Sequence, residues 1–140
     1  MALIDNKTLE GIIVGGDNAA LVTAAEQTGR ALATQYRLTT SQVRGIFGTV
    51  RKIEMDLLQG DQDPASREER RRRAMRELLL LKPRIAYQAA KERGRGVAEL
   101  ASVLTPSIDL IENDPQRFKN FVDFFEAILA YHRAFGGSDN

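Results

Sequence analysis

Six basic side chains in the middle of the chain carry the spacing most suggestive of chemistry: Arg44, Arg51 and Lys52, then Arg84, Lys91 and Arg95. On a helix Arg44 and Arg51 project about 20° apart, with Gly48 between them and Lys52 alongside. Arg84, Gln88, Lys91 and Arg95 follow i, i+4, i+7, i+11 spacing and share a face. A guanidinium meets two phosphate oxygens at once and a glycine admits a close backbone, so two parallel ridges of this kind suit a polyanion backbone. The same spacing also describes a plain solvated face, and the residues alone leave both readings open. Tyr87, on the second ridge, can stack on a base, but burial with a bonded hydroxyl is its commoner fate.

Other chemistries find little support. The single histidine, His132, falls on an apolar stripe, where a packed imidazole is the ordinary outcome and a general base the exception. Asp123 and Glu126 fall on the solvent side of that helix beside Arg133. There is no cysteine, which removes disulfides and thiolate metal sites. No metal-ligand spacing, no phosphate loop in a strand–turn–helix context and no nucleophile with a base is present, and the glycines of residues 93–96 are too short a motif for a nucleotide fingerprint. No enzyme activity, cofactor or metal is therefore expected. The arginine run of residues 70–73 wraps around a helix, so it cannot lie along one backbone. Glu68, Glu69 and Glu77 stand at pairing distance from it, and the run ranks below the two ridges.

These residues sit in a chain of 140 residues, 43% hydrophobic, which suits one domain with a single core. The net charge of +1 hides an asymmetry. Residues 1–36 sum to −2, 37–59 to +2, 60–63 to −2, 64–96 to +7 and 97–140 to −4. A basic middle before an acidic end implies a polyanion-binding stripe or head-to-tail contact between copies. No signal-like N-terminus and no apolar run near 18 residues is present, so a soluble, cytoplasmic protein without a membrane partner is expected.

The elements that must position the ridges read as all-α, a compact bundle of five to six helices. Residues 1–16 are expected as an N-terminal arm free to flex, whose only β-like stretch is 11–14, and residues 17–140 as a single helical-bundle domain. Asp17 or Asn18 caps a helix to about Gln35, whose alanines permit close helix approach. Thr39 and Gln42 form a capping box before a helix with Val43, Ile46, Phe47, Val50, Ile53 and Leu57 on one stripe. Gly45 and Gly48 each cost that helix roughly 1 kcal/mol, which implies a helix or a ligand close against them. Residues 60–66 read as a turn or linker. Pro64 starts the next helix and Pro83 restarts it, with fraying at Gly94 and Gly96. Residues 97–112 form a helix kinked or split at Pro106. Asp114 caps the last helix, which buries Phe118, Phe121, Val122, Phe125, Ile128, Leu129 and His132 and stops at Gly136 and Gly137.

Three blocks, LTTSQVRGIF (38–47), LLLLKPRIAYQAAKERG (78–94) and FVDFFEAILAYHRAFGG (121–137), resemble in order and spacing the small helical subunit of type III-A CRISPR (Csm) effector complexes. The resemblance covers roughly residues 38–137, and the AYH–x–x–x–GG ending is its most specific mark. It implies a non-catalytic subunit stacked in several copies as a filament, lining the groove where target RNA pairs with guide RNA and touching sugar-phosphate without reading sequence. Its partners would be guide RNA, target RNA, the other effector subunits and copies of itself. The basic positions it implies are Arg44, Arg51 and Lys52, then Arg84, Lys91 and Arg95. The N-terminal arm and the run at 70–73 depart from the family pattern.

The rival reading is a helical protein–protein adaptor with no direct RNA contact. A DNA-binding helix-turn-helix around TTSQVRGIF is weaker, because the apolar stripe leaves few residues for base edges.

Overall fold

The computed structural model describes residues 3–58 and 63–137. Six helices and no strand occur among them, as the all-α reading expects: α1 (Asn6–Ile13), α2 (Asn18–Arg30), α3 (Thr40–Leu58), α4 (Pro64–Lys91), α5 (Gly96–Asp109) and α6 (Pro115–Ala134). One π-helical turn, Ala31–Gln35, extends α2 to the expected end.

Local capping chemistry starts these helices. Asp17 accepts from the Ala20 amide at 3.0 Å, and Asp114 accepts from the amides of Gln116 and Arg117 at 2.9 and 3.3 Å. Thr39 and Gln42 close their box reciprocally, at 3.2 Å from the Gln42 amide to the Thr39 hydroxyl and 2.9 Å from the Thr39 amide to the Gln42 side chain. Asp5 caps α1 by accepting from the Thr8 amide at 2.7 Å, and that bond holds its carboxyl below the ordinary value.

The central element is α6, which packs against α1, α2, α3 and α5. Neighbours on several sides explain why it buries Phe124 as well as the expected Phe118, Phe121, Val122, Phe125, Ile128 and His132. Leu129 is only half-buried. The alanine-rich face of α2 permits a close crossing with α6: a Cβ on Gly29 would lie 2.7 Å from the Tyr131 Cβ and 2.8 Å from the His132 amide. On α3 the expected stripe points inward, with Val43, Ile46, Val50 and Ile53 buried and Phe47 and Leu57 half-buried. Phe47 meets Phe125 edge-on at 5.1 Å between ring centres.

Four expectations need correction. Residues 11–14 are not β-like: Gly11, Ile12 and Ile13 complete α1, which buries Leu9, Ile12 and Ile13 against the bundle. Pro83 does not restart a helix, and Pro106 does not split one; each lies inside a continuous helix. An interior proline costs about 3 kcal/mol, whereas each fully buried Leu or Ile supplies about 1.5–3 kcal/mol. Leu78, Leu81 and Ile85 around Pro83, and Val103, Leu104 and Ile108 around Pro106, are all buried, so packing wins. Finally, Gly96 is not a frayed end. It is the buried first residue of α5, where a Cβ would come within 3.0 Å of Leu38. Residues 60–62 of the expected linker lie outside the described residues, and Asp63 caps the start of α4.

Leu38 also explains the histidine. Arg37 takes a positive φ of 53°, turning the chain so that the Leu38 carbonyl accepts a hydrogen bond from His132 Nε2 at 2.5 Å. Gly137 lies against the imidazole so closely that a Cβ there would overlap the ring. His132 is buried and bonded, which is its expected structural role.

Candidate nucleic-acid interface

Arg84, Gln88 and Lys91 of the second ridge face Gly45 of α3 across one groove between α3 and α4, with a volume near 590 Å³. Gly45, Ile46 and Thr49 form one wall, and Arg84, Tyr87 and Lys91 the other. The end near the α4 C-terminus is braced. Gln88 donates to the Gln42 carbonyl, and the Gln42 side-chain amide donates to Glu92 at 3.3 Å. Glu92, the one carboxylate of the lining, keeps its negative charge while it accepts that bond, whereas Arg84 and Lys91 form no ion pair with a described residue. Two cations against one anion leave the lining net positive, with open donors on Arg84 and Lys91.

Tyr87 is not buried as its commoner fate would have it: it is 69% exposed, with the Lys91 ammonium 5.8 Å from the ring centre. Gly45 and Gly48 have no atom of another element within 4 Å of where a Cβ would stand. No second helix among the described residues therefore presses on them, and that half of the expectation is corrected.

The six basic positions divide into three groups. Arg84 and Lys91 line the groove, and Lys52, seven residues beyond Gly45, projects about 20° from it around α3. Arg44 and Arg51 lie about 100–160° around the same helix from Gly45 and Thr49, on a different face. Arg44 is exposed without an ion pair among described residues. Arg51 bonds Glu54 at 2.9 Å and Glu126 of α6 at 3.5 Å, with Phe47 6.0 Å from its guanidinium. Arg95 leaves the ridge, because α4 ends at Lys91, Glu92 is extended and Gly94 takes a φ of 80°. Its guanidinium instead neutralises the buried Glu99 at 3.0 Å.

The run at residues 70–73 does wrap around α4. Arg71 bonds Glu68 at 2.8 Å, an attachment that holds the Glu68 carboxyl below its usual range. Because α4 runs unbroken through Pro83, Arg73 and Leu80 fall on the same face as Arg84 and Lys91, a register that the expected break concealed. Among the described residues no cluster of His, Asp or Glu could hold a metal ion, and no helix is long and apolar enough to cross a membrane.

A family model described as Csm2 Type III-A matches residues 16–138, which takes in every helix from α2 to α6. No curated protein and no solved structure matches the chain. The match extends well upstream of the three blocks that carried the resemblance and begins at Gly16, where α1 has already ended. With that family model spanning most of its length, the chain belongs to the Csm2 Type III-A family, the small subunit of the type III-A CRISPR effector complex.

Proposed function

We propose that this chain is a non-catalytic assembly subunit, acting in the cytoplasm without a cofactor. Its copies stack as a filament and bind the sugar-phosphate backbone of guide and target RNA without reading sequence. The observation that carries this reading is the pair of cations on the α4 wall, Arg84 and Lys91, which have no ion-pair partner among the described residues and face an open groove. Lys52 extends the opposite wall, and Arg44 offers a second contact on the outer face of α3. Arg51 and Arg95 contribute less, since each is held by a carboxylate of its own chain. Backbone recognition by such groups is electrostatic and insensitive to base identity.

The test is fluorescence anisotropy with a labelled single-stranded RNA and a guide–target duplex, each at low and physiological salt, with light scattering on the same samples. Binding that ignores sequence, weakens with salt and raises the scattering mass is expected. Absence of binding at low salt overturns direct RNA contact.

The adaptor reading has one specific observation in its favour. Met55 and Leu58 at the end of α3 are 66% and 71% exposed, an apolar edge suited to a protein neighbour. It predicts assembly that RNA does not alter.

A further inference from the structure

We infer that the α3/α4 groove is a subsite for one unpaired ribonucleotide, its base stacked on Tyr87 and its phosphates held by Arg84 and Lys91. The inference rests on the RNA-backbone reading above and adds to it a base-dependent component. Three observations carry it.

The first is Tyr87 itself. Tyr36 and Tyr131 are half-buried against the core, whereas Tyr87 leaves most of its ring in water, and its hydroxyl bonds no described residue. With most of its surface in water and only the Lys91 ammonium set over it, 5.8 Å from its centre, the ring has a face available to stack. Every base has a π-face, so such stacking tolerates any sequence. The second is the placing of the charges. Arg84 precedes Tyr87 by three residues and Lys91 follows by four, so the cations flank the ring one turn away on either side, about 10 Å apart along the helix. A nucleotide on the ring therefore has a cation towards each of its two phosphates. The third is the opposite wall. Gly45 presents bare backbone there, with no described residue of another element within 4 Å of where a Cβ would stand, and the Thr49 hydroxyl, though given to the Gly45 carbonyl at 3.0 Å, keeps its acceptor side. The groove's volume, near 590 Å³, falls in the range of small-molecule sites, about 300–1,000 Å³. It suits one nucleotide rather than a duplex. A paired base has both faces covered by its neighbours in the stack, so the occupant is an unpaired or extruded one.

The test exploits the absence of tryptophan and the presence of three tyrosines. Ultraviolet emission comes from tyrosine alone, and only Tyr87 is broadly exposed. The full chain is titrated at low salt with a short single-stranded RNA, and with a strand of the same length built only of abasic ribose-phosphate units. The base-bearing strand is expected to quench tyrosine emission and to bind roughly 5- to 150-fold tighter, the value of one base–aromatic stack. Tyr87→Ala and Tyr87→Leu should each erase the preference for bases while still binding both strands. Tyr87→Phe should keep the preference and lose the quenching. Arg84→Gln with Lys91→Gln should weaken both strands alike, with circular dichroism unchanged.

If both Tyr87→Ala and Tyr87→Leu retain the wild-type preference, the subsite is wrong and the backbone reading stands. If the wild-type chain binds neither strand, both readings fall. A Tyr87→Phe variant that behaves like Tyr87→Ala shows the hydroxyl, not the ring face, to be the contact, and also overturns the stack.

Discussion

At the scale of single residues, the glycines separate into those that fit this chain and those that face outward. Gly29 sits where α2 crosses α6, with Tyr131 and the backbone of Ile128 and His132 within 2.8 Å of a prospective Cβ. Most of those atoms are backbone and cannot move aside cheaply. Gly29→Ala should therefore lower stability by about 1–3 kcal/mol, the usual cost of overpacking, read as a lower urea midpoint at constant m. Gly45→Ala is the opposite case, because its methyl meets no other element. It should raise stability by about 1 kcal/mol through helix propensity while weakening RNA binding. Tighter folding with unchanged RNA affinity would mean that nothing approaches that wall. His132 belongs with the inward group. His132→Leu keeps an apolar fill but leaves the buried Leu38 carbonyl without its donor, a loss of about 1–3 kcal/mol by the same measurement. Neither Gly29 nor the role of Gly137 was legible from local sequence, since each depends on a residue brought near by the fold. The AYH–x–x–x–GG ending was legible as a mark of kinship, and its physical content is the imidazole laid against Gly137 and bonded to Leu38.

At the scale of elements, features decided within one turn could be read directly, and those decided by packing could not. The caps at Asp17, Thr39 and Asp114 need only a side chain and an amide two or three residues on, and all form as expected. The same signal was present for α1: Asp5 stands three residues before Thr8, and Leu9, Ile12 and Ile13 repeat at helical spacing. The β-branched run of residues 12–14 and the Gly15–Gly16 pair concealed it. The prolines mislead for the opposite reason, because their local rule is real but smaller than the burial on either side. This makes Pro83 a test. It is exposed, its ring displaces the hydrogen bond to the Leu79 carbonyl, and the helix persists regardless. Pro83→Ala restores the donor and should stabilise the chain by up to about 3 kcal/mol, seen as a higher thermal or urea midpoint. Destabilisation instead would show that α4 depends on the shape that the proline imposes. The groove was half legible. The register of Arg84 and Lys91 follows from spacing, but the pairing of α3 with α4 that gives them a facing wall is tertiary.

At the scale of the whole molecule, the charges fall into a basic middle and an acidic C-terminal segment, and the fold decides which of the basic groups are free to act. A net charge of +1 provides little overall attraction to RNA, so the proposed binding has to come from local groups. Arg84 and Lys91 face an open groove, whereas Arg51 is shared between Glu54 and Glu126 and has to be released before it can meet a phosphate. Each phosphate neutralised on a single strand contributes about −0.7 to the slope of log affinity against log salt. Arg84→Gln with Lys91→Gln should therefore flatten that slope by roughly 1.4, with helical content unchanged. Arg51→Gln should change it less, because the carboxylates it leaves behind already compete with the RNA. Titrations of all three proteins across the same salt series provide the comparison. If Arg51→Gln flattens the slope as much as the groove pair does, the RNA responds to the charge of the basic region as a whole, and the α3/α4 groove loses its special standing.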